Sequence, residues 1–276
     1  MVHISRRSAV GLSLQAGMFA AIGGPFAVAD SQPAGGGDGK AQAEPATPWP
    51  GFPRQNFEWA REVVGASHGD EAKVRQLVTE HPALANAAWD WGFGDWETAL
   101  GAAAHTGRRS IAEFLIAQGA RLDLFAAAML GYVDVVKACI EASPGIQRTR
   151  GPHGIHLLAH AKAGGEAAKP VVEYLEAVGG AGDAVATEPL TAQQRERFVG
   201  DFVYGPGTDD RLRTFVQNET LWLERPGHPR RGLNYRGNQE FSPVGALGVR
   251  IRFELDVKPR RLTVIDGKMV ITAAEQ

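Results

Sequence analysis

The segment HGIHLLAH places His153, His156 and His160 three and four residues apart. On a helix, residues i and i+4 share a face, so His156 and His160 stand side by side and His153 reaches them from the preceding turn. Neutral imidazoles converging in this way could ligate zinc or another transition metal. The competing reading is structural. In it His156 hydrogen-bonds the backbone, His160 faces solvent, and no carboxylate lies between them to serve as a base.

A second group is aromatic. NAAWDWGFGDWE carries Trp89, Trp91, Phe93 and Trp96 within eight residues. Aromatic side chains on a loop give large contact area at low entropic cost and commonly anchor interfaces. Indole faces also suit sugar rings. The same rings could instead fold back and cap a helical core. GASHG, with Ser67 as nominal nucleophile, fits the nucleophile-elbow pattern. That pattern needs a strand feeding a strained turn on a parallel sheet, and no succession of strand–helix units follows here. The single cysteine, Cys139, allows neither an internal disulfide nor a cysteine zinc cage. It occupies an apolar helical position, as a small core hydrophobe would.

The elements that must position these residues are repetitive. Gly69, Gly107, Gly131 and Gly165 are spaced by 38, 24 and 34 residues. After the first three, apolar residues recur at the same offsets: Val74, Leu77 and Val78; Ala112, Leu115 and Ile116; Val136, Cys139 and Ile140. Those offsets mark one face of a helix. Small residues precede the last three glycines, as Ala102 to Ala104, Ala126 to Ala128, and Ala159 with Ala161. Closely stacked helix pairs need small inner residues, and the glycine supplies the turn that returns the chain antiparallel. TALGAAAHTGRRSIAEFLIAQGA resembles the ankyrin consensus at Thr98, Leu100, Ala103, Ala104, Gly107, Leu115, Gly119 and Ala120; Ala99 and Gly101 depart from it. GIHLLAHAKAGG resembles it more loosely. The resemblance, over roughly residues 56–183, implies about four degenerate repeats forming an α-solenoid. It also implies that the hairpin finger between the second and third repeats is nearly absent.

From about Leu190 the periodicity changes to alternation. Arg211–Gln217, Leu221–Arg225, Val249–Leu255, Arg261–Asp266 and Met269–Ala274 read as short strands, with tight turns at Asn218-Glu219 and Gly267-Lys268. The expected unit is a small antiparallel β-barrel or sandwich over 190–276. FVGDFVY, LWLER, FSPVGALGVRIRFEL and RLTVIDGKMV look like the β-barrel tail behind many bacterial serine hydrolases and β-lactamase-like proteins, an accessory module from which no catalytic residue carries over. Residues 51–189 hold 12 Lys/Arg against 17 Asp/Glu, a net of −5, and residues 190–276 hold 14 against 11, a net of +3. The two regions would attract weakly, or simply be solvated separately.

The N-terminal end has the layout of a secretory signal peptide over 1–29: Arg6 and Arg7, an apolar stretch, then Ala27-Val28-Ala29. Ser5-Arg6-Arg7 resembles the twin-arginine motif. The Gly- and Pro-rich stretch 30–53 reads as a disordered linker. The chain of 276 residues has a net charge of −2, which gives no electrostatic case for nucleic acid. Its apolar N-terminal stretch is short and broken by glycine, which argues against a membrane span.

These readings assemble into a multidomain α plus all-β protein: an ankyrin-repeat α-solenoid over 54–183 followed by a small β domain. The expected function is non-catalytic recognition of an unidentified protein partner through Trp89, Trp91, Phe93 and Trp96, in the periplasm or outside the cell and with no cofactor. The alternatives are binding of a carbohydrate or other small ligand through the tryptophan loop or the β domain, and metal-dependent chemistry at His153, His156 and His160.

Overall fold

The computed structural model describes residues 49–276. The expected signal peptide, its twin-arginine motif and most of the expected linker lie outside the described residues. Residues 49–53, the end of that linker, form a turn in which Trp49 Nε1 donates to Arg54 O at 2.7 Å.

Helices follow in antiparallel pairs: α1 (Phe57–Ala66) with α2 (Glu71–Glu80), α3 (Ala99–His105) with α4 (Arg109–Ala117), α5 (Leu124–Leu130) with α6 (Val133–Ala142), and α7 (Leu157–Ala163) with α8 (Lys169–Val178). The first helices of successive pairs stack: α3 touches α1 and α5, and α5 touches α7. Ala99 to Ala104, including Gly101, are all buried, as are Ala126 to Ala128. Larger side chains there would hold the stacked helices apart. Gly131 shows what the repeated glycine does. Its φ is +78°, and a Cβ would lie 2.1 Å from the carbonyl oxygen of Ala167 in the next pair. Gly107 and Gly165 are also left-handed, at +68° and +63°. Gly69 turns the chain without a positive φ, so the first pair differs from the others.

Between α2 and α3 the aromatic segment forms a hairpin, β1 (Ala88–Asp90) and β2 (Trp96–Thr98), with Trp89 opposite Glu97. Its tip, Gly92-Phe93-Gly94, has three consecutive positive φ values, at +115°, +60° and +77°. The Asp90 carboxylate holds it by accepting from Gly92 N and Gly94 N. The connection from α4 to α5 has no hairpin; Asp123 caps α5 directly, accepting from Ala126 N at 2.7 Å.

After the short helix α9 (Ala192–Glu196), eight antiparallel strands close into a barrel: β3 (Gly200–Val203), β4 (Arg211–Gln217), β5 (Thr220–Glu224), β6 (Arg231–Tyr235), β7 (Glu240–Pro243), β8 (Arg250–Glu254), β9 (Arg261–Asp266) and β10 (Met269–Glu275). Each strand pairs with the next, and β10 closes on β3 through Ala274 opposite Val203. The unit is therefore a barrel and not a sandwich. Phe198, Phe202, Phe241 and Phe253 pack edge to face inside it. Asn218 and Glu219, both with positive φ, make the two-residue turn between β4 and β5. Among the described residues no helix is long and apolar enough to cross a membrane.

The helical pairs and the barrel belong to one compact unit, Pro48–Gln276. Phe93, at the hairpin tip, packs against the barrel core. Asp95 pairs with Arg231 of β6 at 2.9 Å, with both side chains largely buried. The opposite net charges of the two regions thus meet in at least one specific, desolvated contact.

Candidate metal centre

Three imidazoles converge on one buried carboxylate. His68 follows the C-terminal end of α1, His105 ends α3, Glu97 sits in the middle of β2, and His153 lies in a single turn, Pro152–Gly154, ahead of α7. Nε2 of His105 is 2.9 Å and Nε2 of His153 is 3.3 Å from Glu97 Oε1; Nε2 of His68 is 3.4 Å from Oε2. One ligand atom from each of the four residues lies within 4.8 Å of the others. The Glu97 side chain is fully buried.

Each group is aimed by its surroundings. His68 Nδ1 faces Gly65 O at 3.0 Å. A carbonyl only accepts, so Nδ1 carries a proton, and Nε2 is the nitrogen turned toward Glu97. Arg108 Nε donates to His68 O and fixes that backbone to the next pair. His153 Nδ1 faces Asp95 Oδ2 at 2.8 Å, while its backbone N donates to Oδ1 at 2.8 Å. His153 is left-handed at φ +58°, a conformation these two hydrogen bonds to Asp95 sustain. Trp91 Nε1 donates to Glu97 Oε2 at 2.7 Å, leaving Oε1 free toward His105 and His153. Gly101 admits the Pro152 turn, since a Cβ there would lie 3.3 Å from Pro152 Cγ. Imidazoles whose Nδ1 groups are tied to a carbonyl and a carboxylate, with Nε2 turned inward, have the outer-shell pattern of metal-ligating histidines.

The electrostatics are consistent with that pattern. Hydrogen bonding to Asp95, then to Glu97, raises the pKa of His153 to about 9. Burial alone would raise that of Glu97, but hydrogen bonds from His105 and His153 outweigh it and hold the carboxyl at about 2. Glu97 is thus held charged against the His153 imidazolium, whose inward proton a divalent cation would displace.

Of the three histidines singled out by local spacing, His153 alone joins the cluster. His156 caps α7, its Nδ1 accepting from Ala159 N at 3.0 Å. His160 is buried and not at the surface, its ring packed against Phe125 and facing His105. Burial depresses its pKa to about 4, and its Nε2 has no partner among the described residues. His68, His105 and Glu97 were not legible from spacing. A signal existed, because His68 and His105 stand one and two residues before the repeat glycines Gly69 and Gly107. Ser67 lies buried at the end of α1 and donates to Val63 O at 2.7 Å, the geometry of a helix cap and not of a strand-fed nucleophile.

The aromatic residues divide. Trp89 and Trp91 pack against the helical core, Phe93 packs against the barrel, and Trp96 is 63% exposed. The hairpin so placed roofs a cleft of about 390 Å³ against the barrel mouth. Beside it is a niche of about 290 Å³ reached by His68 and His153. Trp91, Pro229 and Arg231 line both. No family model matches this sequence, and no curated protein is significantly similar to it.

Proposed function

We propose that this protein binds a divalent transition metal, zinc by ligand chemistry, through His68, His105, His153 and Glu97, and presents it to a small molecule entering from the adjoining niche. The observation that carries the reading is the convergence of three imidazole Nε2 atoms on Glu97, with the outer nitrogens of His68 and His153 already tied off. Three imidazoles and one carboxylate suit zinc in nitrogen/oxygen coordination. His68 and His153 border the niche, so an incoming molecule or water could add as a fifth ligand, an expansion zinc accepts, and would be polarised there. On this reading the protein does metal-dependent chemistry and is more than a passive recognition module. Purified protein stripped with chelator and titrated calorimetrically with zinc should take up one ion per chain. A saturable uptake of zero, or uptake unchanged in a variant lacking all three histidines, defeats the reading.

A second reading is favoured by Trp96, a large indole left exposed on β2. We read the four helix pairs as ankyrin-like repeats, which recognise proteins, and the N-terminal sequence as an export signal. Trp96 would then anchor a partner in the periplasm or outside the cell. Loss of a captured envelope protein in Trp96→Ala, with zinc uptake intact, would support it; equal capture would remove it.

A further inference from the structure

The cleft under the hairpin has a chemical character of its own. Its barrel side is made by Leu212, Leu223 and Val264, inward-facing positions of β4, β5 and β9, and by Ile271 of β10. Its roof is aromatic, from Trp89 and Phe93. Its volume falls in the range of small-molecule sites, which combine apolar walls with a few placed polar groups.

Among its polar groups, which include Tyr204 and His228, three are guanidinium cations. Arg61, Arg225 and Arg231 line the cleft, and the one carboxylate lining it, Asp90, is engaged with the backbone of the hairpin tip. Among the described residues Arg61 and Arg225 make no ion pair. Arg225 lies over the Tyr204 ring and donates to Asp209 O at a long 3.5 Å. Arg231 gives Nη1 to Asp95, while its Nε and Nη2 are buried and lack a protein acceptor. Buried donors left unmatched are costly, and a guanidinium fork matches a carboxylate. Arg231 also stands where cleft and niche adjoin, on the side of His68 and His153.

We propose that this cleft is a ligand site for amphipathic carboxylates: an aryl or alkyl body held between the barrel mouth and the hairpin, with the carboxylate drawn to the arginines. The proposal rests on the metal reading only in placing the ligand's anionic end beside the ion. The cleft itself is formed by protein alone.

The probes are 4-phenylbutyrate and its neutral amide, titrated calorimetrically into the full chain with chelator present and again after zinc loading. Metal-free protein should bind the carboxylate saturably, one per chain and about tenfold or more tighter than the amide, the difference expected of charge-assisted recognition. Arg61→Gln combined with Arg225→Gln should remove most of that preference while leaving zinc uptake and the near-ultraviolet dichroism unchanged. Equal affinity for both probes, no saturable binding, or an unaltered preference in the arginine variant would overturn the proposal. Carboxylate binding seen only with zinc would overturn it too, because the ion and not the cleft would then be the receptor. Failure of zinc uptake with carboxylate binding intact would strike the metal reading and leave the cleft standing.

Discussion

Zinc affinity is expected to fall by about 100-fold or more in each of His68→Ala, His105→Ala and His153→Ala, and by less than about threefold in His156→Ala. The first three each remove an Nε2 that faces Glu97. An ion left with two imidazoles and a carboxylate must take water in place of a nitrogen donor, and for His68 and His153 the outer hydrogen bond that aims the ring is lost as well. His156 is the informative control. It lies three residues from His153, but its Nδ1 is spent on Ala159 N at the start of α7. Its loss should cost about 1 kcal/mol of stability as a missing cap, with little effect on the ion. Competition against a chromogenic chelator measures all four. A large drop in His156→Ala with none in His105→Ala would return the site to the local His153/His156/His160 grouping.

Asp95→Ala should be the most destabilising single change near the site, by about 3–5 kcal/mol, and should weaken zinc by about 10- to 100-fold. Asp95 is almost fully buried and serves three groups: His153 N, His153 Nδ1 and Arg231 Nη1. Removing its carboxylate strands a largely buried guanidinium in low dielectric. It also frees a left-handed residue from the bonds that sustain it, so His153 loses its aim. The same carboxylate joins hairpin, His153 turn and barrel, and Gly245 packs on it so closely that a Cβ would lie 2.7 Å from Asp95 Cγ. Urea unfolding followed by circular dichroism gives the stability, and chelator competition gives the affinity. A loss below about 1 kcal/mol would mean that the barrel docks by packing alone.

Why part of this was legible in the sequence follows from the range of each interaction. Strand alternation is local, and Arg211–Gln217 and Arg261–Asp266 coincide with β4 and β9. The strand β6 is not delimited by alternation, since RGLNY carries a glycine and an asparagine, and β7, running into the barrel-like segment FSPVGALGVRIRFEL, is blurred by its proline. The small-residue helices and their glycine turns were visible because close stacking constrains residue size directly. The site was visible only at His153. His68 and His105 are 37 residues apart in sequence, yet their ring centroids are 5.0 Å apart because α1 and α3 stack. Helical i, i+4 spacing cannot show a contact made between successive helix pairs. Glu97 stands among aromatic residues whose pattern reads as an interface, although Trp91 turns inward to hold it. His160 looked like a surface residue because its burial depends on Phe125 and His105 from other elements.

The most direct test is anomalous diffraction at the zinc edge from crystals of zinc-loaded protein. One strong peak per chain is expected, bonded at about 2.0–2.1 Å to Nε2 of His68, His105 and His153 and at about 2.0–2.2 Å to Glu97 Oε1. A peak bonded to His156 or His160 instead, or zinc-soaked crystals with no peak between the three Nε2 atoms, would contradict the proposed site.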